Sequence, residues 1–117
     1  MAINSKTKGK QGELELVHIL NDKGYETRRT AQYCGNTGDA SDITGLDFIH
    51  PEVKRVEKLN IDTAMAQAIR DNKYPDCNFP VVFHRKNNKG WLVTMRLDDW
   101  LEMYDDFLAT HPTTEEN

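Results

Sequence analysis

The segment that most constrains the fold of this chain is HPEVKRV, at residues 50–56. Charged and apolar residues alternate within it, and side chains along a β-strand point alternately to the two faces of a sheet. Glu52 and Lys54 are therefore expected on one face of a strand, while Val53 points the other way and into a core. This pattern predicts a strand that carries a polar site on one face.

The hydrophobic periodicity predicts eight elements in the order α-β-β-β-α-β-β-α. Helices are predicted at residues 9–23, stopped by Gly24, at residues 61–72, and after Asp98 as the N-cap. Strands are predicted at residues 25–30, near 42–43, within 47–58, at 81–85 and at 91–96. This order predicts an α/β fold, a mixed β-sheet flanked by helices, formed by one domain over residues 1–110. A flexible acidic tail is predicted over residues 111–117.

A third charged residue, Asp42, lies on the short strand that precedes this segment. Two carboxylates hold a hard divalent cation, and a lysine can orient or deprotonate a water. The residues Asp42, Glu52 and Lys54 therefore predict a Mg²⁺- or Mn²⁺-dependent phosphodiester hydrolase. Asp39 and Asp47 are alternatives for the first carboxylate, and Asp42 is preferred because the apolar residue behind it fits a buried strand. Ordinary exposed charges on a strand remain the other interpretation.

Proline stands directly before Glu52. Because proline cannot donate a ladder hydrogen bond, it is normally confined to strand starts, edges and bulges. We therefore expect that the strand begins at Glu52 or that a bulge at Pro51 aims the carboxylate.

A further carboxylate, Glu13, shares one helical face with Leu16, Val17 and Leu20. A carboxylate on a buried stripe costs free energy unless it meets a cation or hydrogen-bond donors. Glu13 is therefore a candidate site residue. The alternative is a solvated side chain that complements the helix N-terminus.

Several of these motifs together resemble the archaeal-type Holliday junction resolvases of the PD-(D/E)xK nuclease superfamily. The matching residues are KGKQGELELV at 8–17, KGY at 23–25, Arg29, Asp42 and Glu52-Val53-Lys54. The second half, residues 80–85 and 91–101, resembles small phage-encoded nucleases of the same superfamily. The resemblance implies a restriction-endonuclease-like fold. It also implies catalytic roles for Glu13, Asp42, Glu52 and Lys54, with Asp42, Glu52, the Val53 carbonyl and Glu13 as ligands of Mg²⁺ or Mn²⁺.

The function that follows is a metal-dependent DNA endonuclease, expected to be structure-specific and to leave a 5′ phosphate and a 3′ hydroxyl. Two symmetric cuts in a four-way junction require two active sites, which predicts a homodimer. Three alternatives remain. They are a catalytically silent DNA-binding or recombination-accessory module, a nuclease for linear substrates, and a regulatory protein-binding role.

The charge distribution bears on the DNA partner. The net charge is −4, but residues 98–117 contain seven acidic and no Lys or Arg residues, so the other 97 residues carry a balance of +3. The C-terminal helix is therefore expected to face away from nucleic acid. Lys8, Lys10, Arg29 and Arg55 are the predicted DNA contacts, with a solvated basic face as the alternative for each.

Other features limit the class of protein. No apolar stretch is long enough to span a membrane, and the N-terminus lacks a secretory signal. Cys34 and Cys77 are expected to be free thiols. These features predict a cytoplasmic protein. The four histidines lack zinc-ligand spacing, and only His50 is a candidate substrate contact. Gln67 is either a polar helper of the site or a surface residue. The aromatic residues Trp91, Trp100, Tyr104 and Phe107 are expected in the core.

Overall fold

The computed structural model of the chain describes residues 5–30 and 41–111, with side chains from residue 9 onwards. The elements follow the predicted order α-β-β-β-α-β-β-α. They are α1 (Ser5–Asp22), β1 (Arg28–Arg29), β2 (Ile43–Thr44), β3 (Ile49–Arg55), α2 (Ile61–Asp71), β4 (Phe79–Arg85), β5 (Leu92–Met95) and α3 (Leu97–Thr110).

The main sheet is mixed, as the sequence predicts. Its strand order is β3-β4-β5, with β3 and β4 parallel and β4 and β5 antiparallel. The short strands β1 and β2 form an antiparallel pair, and the backbone N–H of Asp42 donates to the carbonyl of Pro51 over 3.3 Å. This hydrogen bond places β2 beside the edge of β3 that β4 leaves open.

The two faces of the sheet are covered by different helices. On one face, Leu16 of α1 packs with Val53 of β3 and Ile43 of β2. On the other, two alanines of α2, Ala64 and Ala68, pack with Val82 of β4, and their small side chains let the helix lie close to the sheet. The sheet is therefore flanked by helices, with Glu52 and Lys54 on the α2 face because they alternate with Val53.

Two glycines allow the close contacts at the edge of β3. A Cβ on Gly12 would lie 2.9 Å from Cβ of Arg55, so glycine lets α1 approach β3. Gly45 has φ +111°, and a Cβ there would collide with the carbonyl oxygen of Glu26. Glycine at position 45 therefore lets the turn after β2 lie against the segment before β1.

The expectations for Pro51 were both wrong. β3 begins at Ile49, and its pairing with β4 runs without a break from Ile49–Phe79 to Arg55–Arg85. The N–H and C=O of one residue point to the same edge of a strand, and the carbonyl of Pro51 accepts from Asp42 at the β2 edge. The missing N–H of Pro51 therefore faces β2, and the hydrogen bonds to β4 are unaffected.

Some element boundaries differ from the predictions. The strand predicted at 25–30 is reduced to β1, because the Asn21 side chain accepts from the N–H of Thr27 over 2.7 Å and ties this segment to α1. α3 begins at Leu97 with Arg96 as its N-cap, so the predicted capping role of Asp98 is wrong. The stop at Gly24, which has φ +106°, is confirmed.

The prediction of a buried C-terminal helix was also wrong. Trp100, Tyr104 and Phe107 are 47%, 43% and 52% exposed, and no residue of α3 is buried. Trp91 does pack against the Leu16 cluster, so the expectation of a core position is confirmed for this residue.

Several expectations fall on residues outside the described ranges, namely Asp39, Cys34 and the tail from residue 112. Cys77 is a free, exposed thiol. Within residues 5–30 and 41–111, none of the helices has the length and apolar content needed to cross a membrane.

Candidate active site

A row of polar side chains runs along β3 beneath α2. His50, Glu52 and Lys54 alternate with apolar residues and so share this face, where Glu52 is only 3% exposed. Nζ of Lys54 lies 3.4 Å from Oε2 of Glu52 and donates to Oε1 of Gln67 over 3.1 Å. Gln67 therefore holds the lysine beside the carboxylate. Of the two predicted roles of Gln67, this contact favours the polar residue that assists the site.

The side chain of Asp42 reaches the same part of β3 from its open edge. Its Oδ2 accepts a 2.7 Å hydrogen bond from the backbone N–H of Val53. Because the C=O of a strand residue points to the same edge as its N–H, the Val53 carbonyl also faces this edge. The Asp42 carboxylate and the Val53 carbonyl thus lie at the same edge of β3, and Val53 is next to Glu52 in sequence.

The two carboxylates are shielded from water and repel each other. Burial, reinforced by the nearby charge of Asp42 and opposed by Lys54, raises the pKa of Glu52 to about 7. Burial also raises the pKa of Asp42 to about 6, opposed by the N–H of Val53 and reinforced by the charge of Glu13. A divalent cation between these oxygens would replace the lost hydration and cancel the repulsion.

The helical carboxylate Glu13 lies on the α1 side of this edge. Oε1 of Glu13 accepts a 2.7 Å hydrogen bond from Nε of Arg29, in a half-buried ion pair. Its charge is felt at Asp42, whereas the negative charges that raise the pKa of Glu52 are those of Asp42 and Asp71. Asp42 is therefore the carboxylate that is influenced by Glu13 and that in turn acts on Glu52.

The residues fit a cation that keeps much of its water. In the part of the chain that is described, no group of three His, Cys, Asp or Glu side chains is close enough to hold a metal ion. Mg²⁺ needs no such group, since it commonly binds through one or two carboxylates together with waters and substrate phosphates. Asp42 and Glu52, with the Val53 carbonyl, match that requirement.

Sequence reasoning missed one residue of the site, Asp71 at the end of α2. It is buried, forms a 3.0 Å ion pair with Arg70, and its charge acts on Asp42, Glu52 and His50. Its position follows Gln67 by four residues, so both lie on the helix face toward β3. That spacing is the signal that could have identified it.

The predicted DNA contacts have different surroundings. Arg29 is paired with Glu13, and Arg55 donates to the side-chain oxygens of Gln11 and Asn87 over 3.5 and 3.2 Å. Lys10 is exposed, whereas the side chain of Lys8 lies outside the described part. Asp47, the alternative to Asp42, is exposed and lines a groove beneath α3.

A basic groove lies just beyond the end of β3. Its volume is about 630 Å³, and its floor includes Trp91, Leu59 and Ile61. Its cations are Lys58, Arg85, Lys86 and Lys89. Arg85 is engaged by both carboxylate oxygens of Glu15 over 2.9 and 3.1 Å, so the three lysines are the cations left to meet a phosphate.

The mixed sheet flanked by α1 and α2 is a fold found in a known nuclease. The chain is similar in structure to Hjc from Archaeoglobus fulgidus, a Holliday junction resolvase from an archaeal hyperthermophile, with a TM-score of 0.55. The similarity covers 74% of this chain and 76% of that one, at 19% sequence identity, and it therefore concerns the fold. No protein-family model and no curated protein matches the sequence.

Proposed function

We propose that this protein is a metal-dependent DNA endonuclease that acts on branched DNA such as a four-way junction. The observation that carries the proposal is the pair of half-buried Asp42 and buried Glu52, with Lys54 3.4 Å from Glu52, at the open edge of β3. The similarity in fold to a Holliday junction resolvase supports it. The protein would act inside the cell as a single-domain chain.

Each residue of the site has a distinct task in this proposal. Asp42, Glu52 and the Val53 carbonyl would hold Mg²⁺ or Mn²⁺, which supplies Lewis-acid activation of a water and neutralises phosphoryl charge. Lys54 orients the attacking water and donates hydrogen bonds to the phosphoryl oxygens. Gln67 keeps the lysine in place. Hydrolysis would leave a 5′ phosphate and a 3′ hydroxyl.

The ion pair on the α1 side supplies the remaining charges. Glu13 raises the pKa of Asp42 but does not converge with Asp42 and Glu52 on one point, so it would complete the ligand shell through a metal-bound water. The guanidinium of Arg29, held at Glu13, would then contact a phosphate of the bound strand. Lys8, Lys10 and Arg55 are the further proposed contacts to the backbone.

The basic groove extends the proposed path of the DNA. Lys58 follows Lys54 by only four residues, so a strand cut at the site would continue toward the groove. Lys58, Lys86 and Lys89 would contact its phosphates, and counterion release would make binding dependent on salt. The acidic helix α3 would remain outside this path.

A second candidate is a catalytically silent DNA-binding module of the same fold. It is favoured by one observation, that no three ligating side chains converge among the described residues. In the nuclease a metal ion would lead to cleavage of the DNA, whereas in the silent module it would at most affect DNA binding.

The test uses labelled four-way junction, flap and linear duplex, each with Mg²⁺, Mn²⁺ or EDTA. We expect cleavage of the junction with either metal, and binding without cleavage in EDTA. Cleavage of linear duplex at the same rate would contradict the structure specificity. Binding without cleavage under every metal condition would replace the proposal with the silent module.

A further inference from the structure

The apolar side chains of α3 form a continuous stripe along one side of the helix. In a helix of 3.6 residues per turn, positions three and four apart share a face. The residues of the stripe follow this spacing through the whole helix: Leu97, Trp100, Leu101, Tyr104, Phe107 and Leu108. All six are exposed, and the rings of Trp100 and Tyr104 stack with centroids 4.9 Å apart.

The stripe points away from the rest of the protein. The groove between α3 and the body has a volume of about 510 Å³, and Glu102, Met103 and Asp106 line it on the helix side. At 100° per residue, Glu102 and Asp106 lie opposite the stripe, and Met103 lies at its border next to Phe107. Across the groove lie Phe48 and Phe79. The helix thus presents an acidic side with one methionine to the body and its aromatic side to the exterior.

This orientation reverses the usual arrangement of an amphipathic helix, whose apolar face covers its own core. Exposed apolar area of this kind marks a surface that another molecule covers. The acidic residues do not block such a contact, because none of them lies within the stripe. Asp99, Glu102 and Asp106 are on the far side of the helix, and Asp98 and Asp105 lie beside the stripe.

The charge of α3 narrows the class of the partner. Helices that lie on a bilayer surface carry Lys or Arg beside their apolar face, and α3 has neither. A nucleic acid would be repelled by the five carboxylates. A protein surface is the partner that remains.

The spacing of the stripe favours a second copy of the same helix. Leu97, Trp100, Tyr104 and Phe107 follow the 3-4-3 spacing of the a and d positions of a heptad, which pairs like helices through knobs-into-holes packing. Two-fold pairing brings the same patch together from both copies and leaves both acidic sides in solvent.

The area is sufficient for a specific contact. Aromatic side chains bury about 150–250 Å² each, so three half-exposed rings with the leucines beside them present on the order of 500 Å² per copy. Pairing would bury about 1,000 Å² in total, which reaches the lower range of specific interfaces.

We propose that α3 is the interface of a homodimer, in which the Trp100–Tyr104–Phe107 stripes of two copies pack against each other. This proposal is independent of the nuclease function, since it concerns association alone. If both hold, the dimer carries two active sites.

The experiment measures the mass of the intact protein by analytical ultracentrifugation between 0.1 and 50 μM, in EDTA and without DNA. We expect a concentration-dependent dimer. Tyr104→Glu should weaken dimerisation roughly 30-fold or more, because it buries a charge at the centre of the seam. The far-UV circular dichroism of the variant should stay that of the wild type, and Tyr104→Phe should retain the dimer.

The matched control is Val93→Glu, which places the same charge at an exposed apolar position on β5. It should leave the dimer intact. A wild type that is monomeric at 50 μM would overturn the proposal. So would a dimer that tolerates Tyr104→Glu, or one that dissociates equally with Val93→Glu, since the interface would then lie elsewhere. Because no substrate is present, none of these results depends on whether the protein cleaves DNA.

Discussion

Under α2, carboxylates are buried and shielded from water, whereas on α3 aromatic side chains are exposed to it. Glu52 is 3% exposed and Phe107 is 52% exposed, the reverse of what their chemistry prefers. Each arrangement costs free energy in an isolated chain. The two regions therefore suggest two different binding partners, a cation at the site and a second protein surface at α3.

The difference lies in what constrains each region. The site is held from several sides, by Val53 at the edge of β3, by Gln67 on α2 and by the sheet pairing of β3 with β4. α3 is attached chiefly through the short link after β5, and no residue of it is buried. A site held from several sides suits catalysis, and a projecting helix suits association with another protein.

The largest effect is expected from removing the charge at the centre of the site. Lys54→Ala should lower the cleavage rate by about 10²–10³-fold, because the group that orients the water and meets the phosphoryl charge is lost. Single-turnover cleavage of a four-way junction in Mg²⁺ measures it. Lys23→Ala, an exposed lysine at the end of α1, is the matched control and should leave the rate unchanged. Loss of the native circular dichroism in Lys54→Ala would instead assign the lysine a structural role.

The next prediction compares a core residue with a stripe residue. Val82 is fully buried in β4, and Val82→Ala should lower the free energy of unfolding by about 2 kcal/mol, from lost burial and the cavity left behind. Phe107→Ala, measured at submicromolar protein where α3 is unpaired, should change it by less than about 0.5 kcal/mol. Urea denaturation gives both values. Equal costs would show that α3 is packed against its own chain, and the contrast between the two regions would disappear.

The smallest effect, and the opposite in sign, is expected from neutralising a buried carboxylate in metal-free protein. The pKa values of Asp42 and Glu52 are raised in the folded state, so the unfolded chain ionises first and stability falls as the pH rises from about 4 through about 7. Asp42→Asn should therefore raise the free energy of unfolding at pH 8 in EDTA by about 1–2 kcal/mol. At pH 4 the gain should be nearly absent.

The control for this prediction is Asp47→Asn, at the exposed aspartate that sequence reasoning could not exclude. It should leave stability unchanged at both pH values. Addition of Mg²⁺ at pH 8 should stabilise the wild type and the control but not Asp42→Asn. A wild type that becomes more stable between pH 5 and pH 8 in EDTA would contradict the raised pKa values.

The order of elements follows from the sequence because the periodicity of each segment is local information. The choice of Asp42 also rests on local information, the apolar residue behind it, whereas its contact with the backbone of Val53 is given by the structure alone. Asp71 was missed because it lies 19 residues from Glu52, and only the crossover of α2 brings it over β3. The four-residue spacing from Gln67 marks the shared helix face, but it does not tell which strand that face covers.

The burial of α3 was mispredicted for a different reason. Its apolar spacing shows that one side of the helix is suited to packing, but it does not tell which surface the helix packs against. Trp91 and Trp100 have equally apolar side chains, and only the fold decides that the first packs against the core while the second is exposed. Pro51 was misjudged because the edge toward which its missing N–H points depends on which strand is the neighbour.

The edge of β3 that carries the site is also protected against aggregation. The open edge of a sheet can recruit another strand through its unpaired N–H groups. Along this edge the N–H of Ile49 bonds to the carbonyl of Leu46, position 51 has no N–H, and that of Val53 is taken by the Asp42 carboxylate. A foreign strand therefore finds no donor between Ile49 and Val53, and the aspartate proposed to hold the metal also closes the sheet.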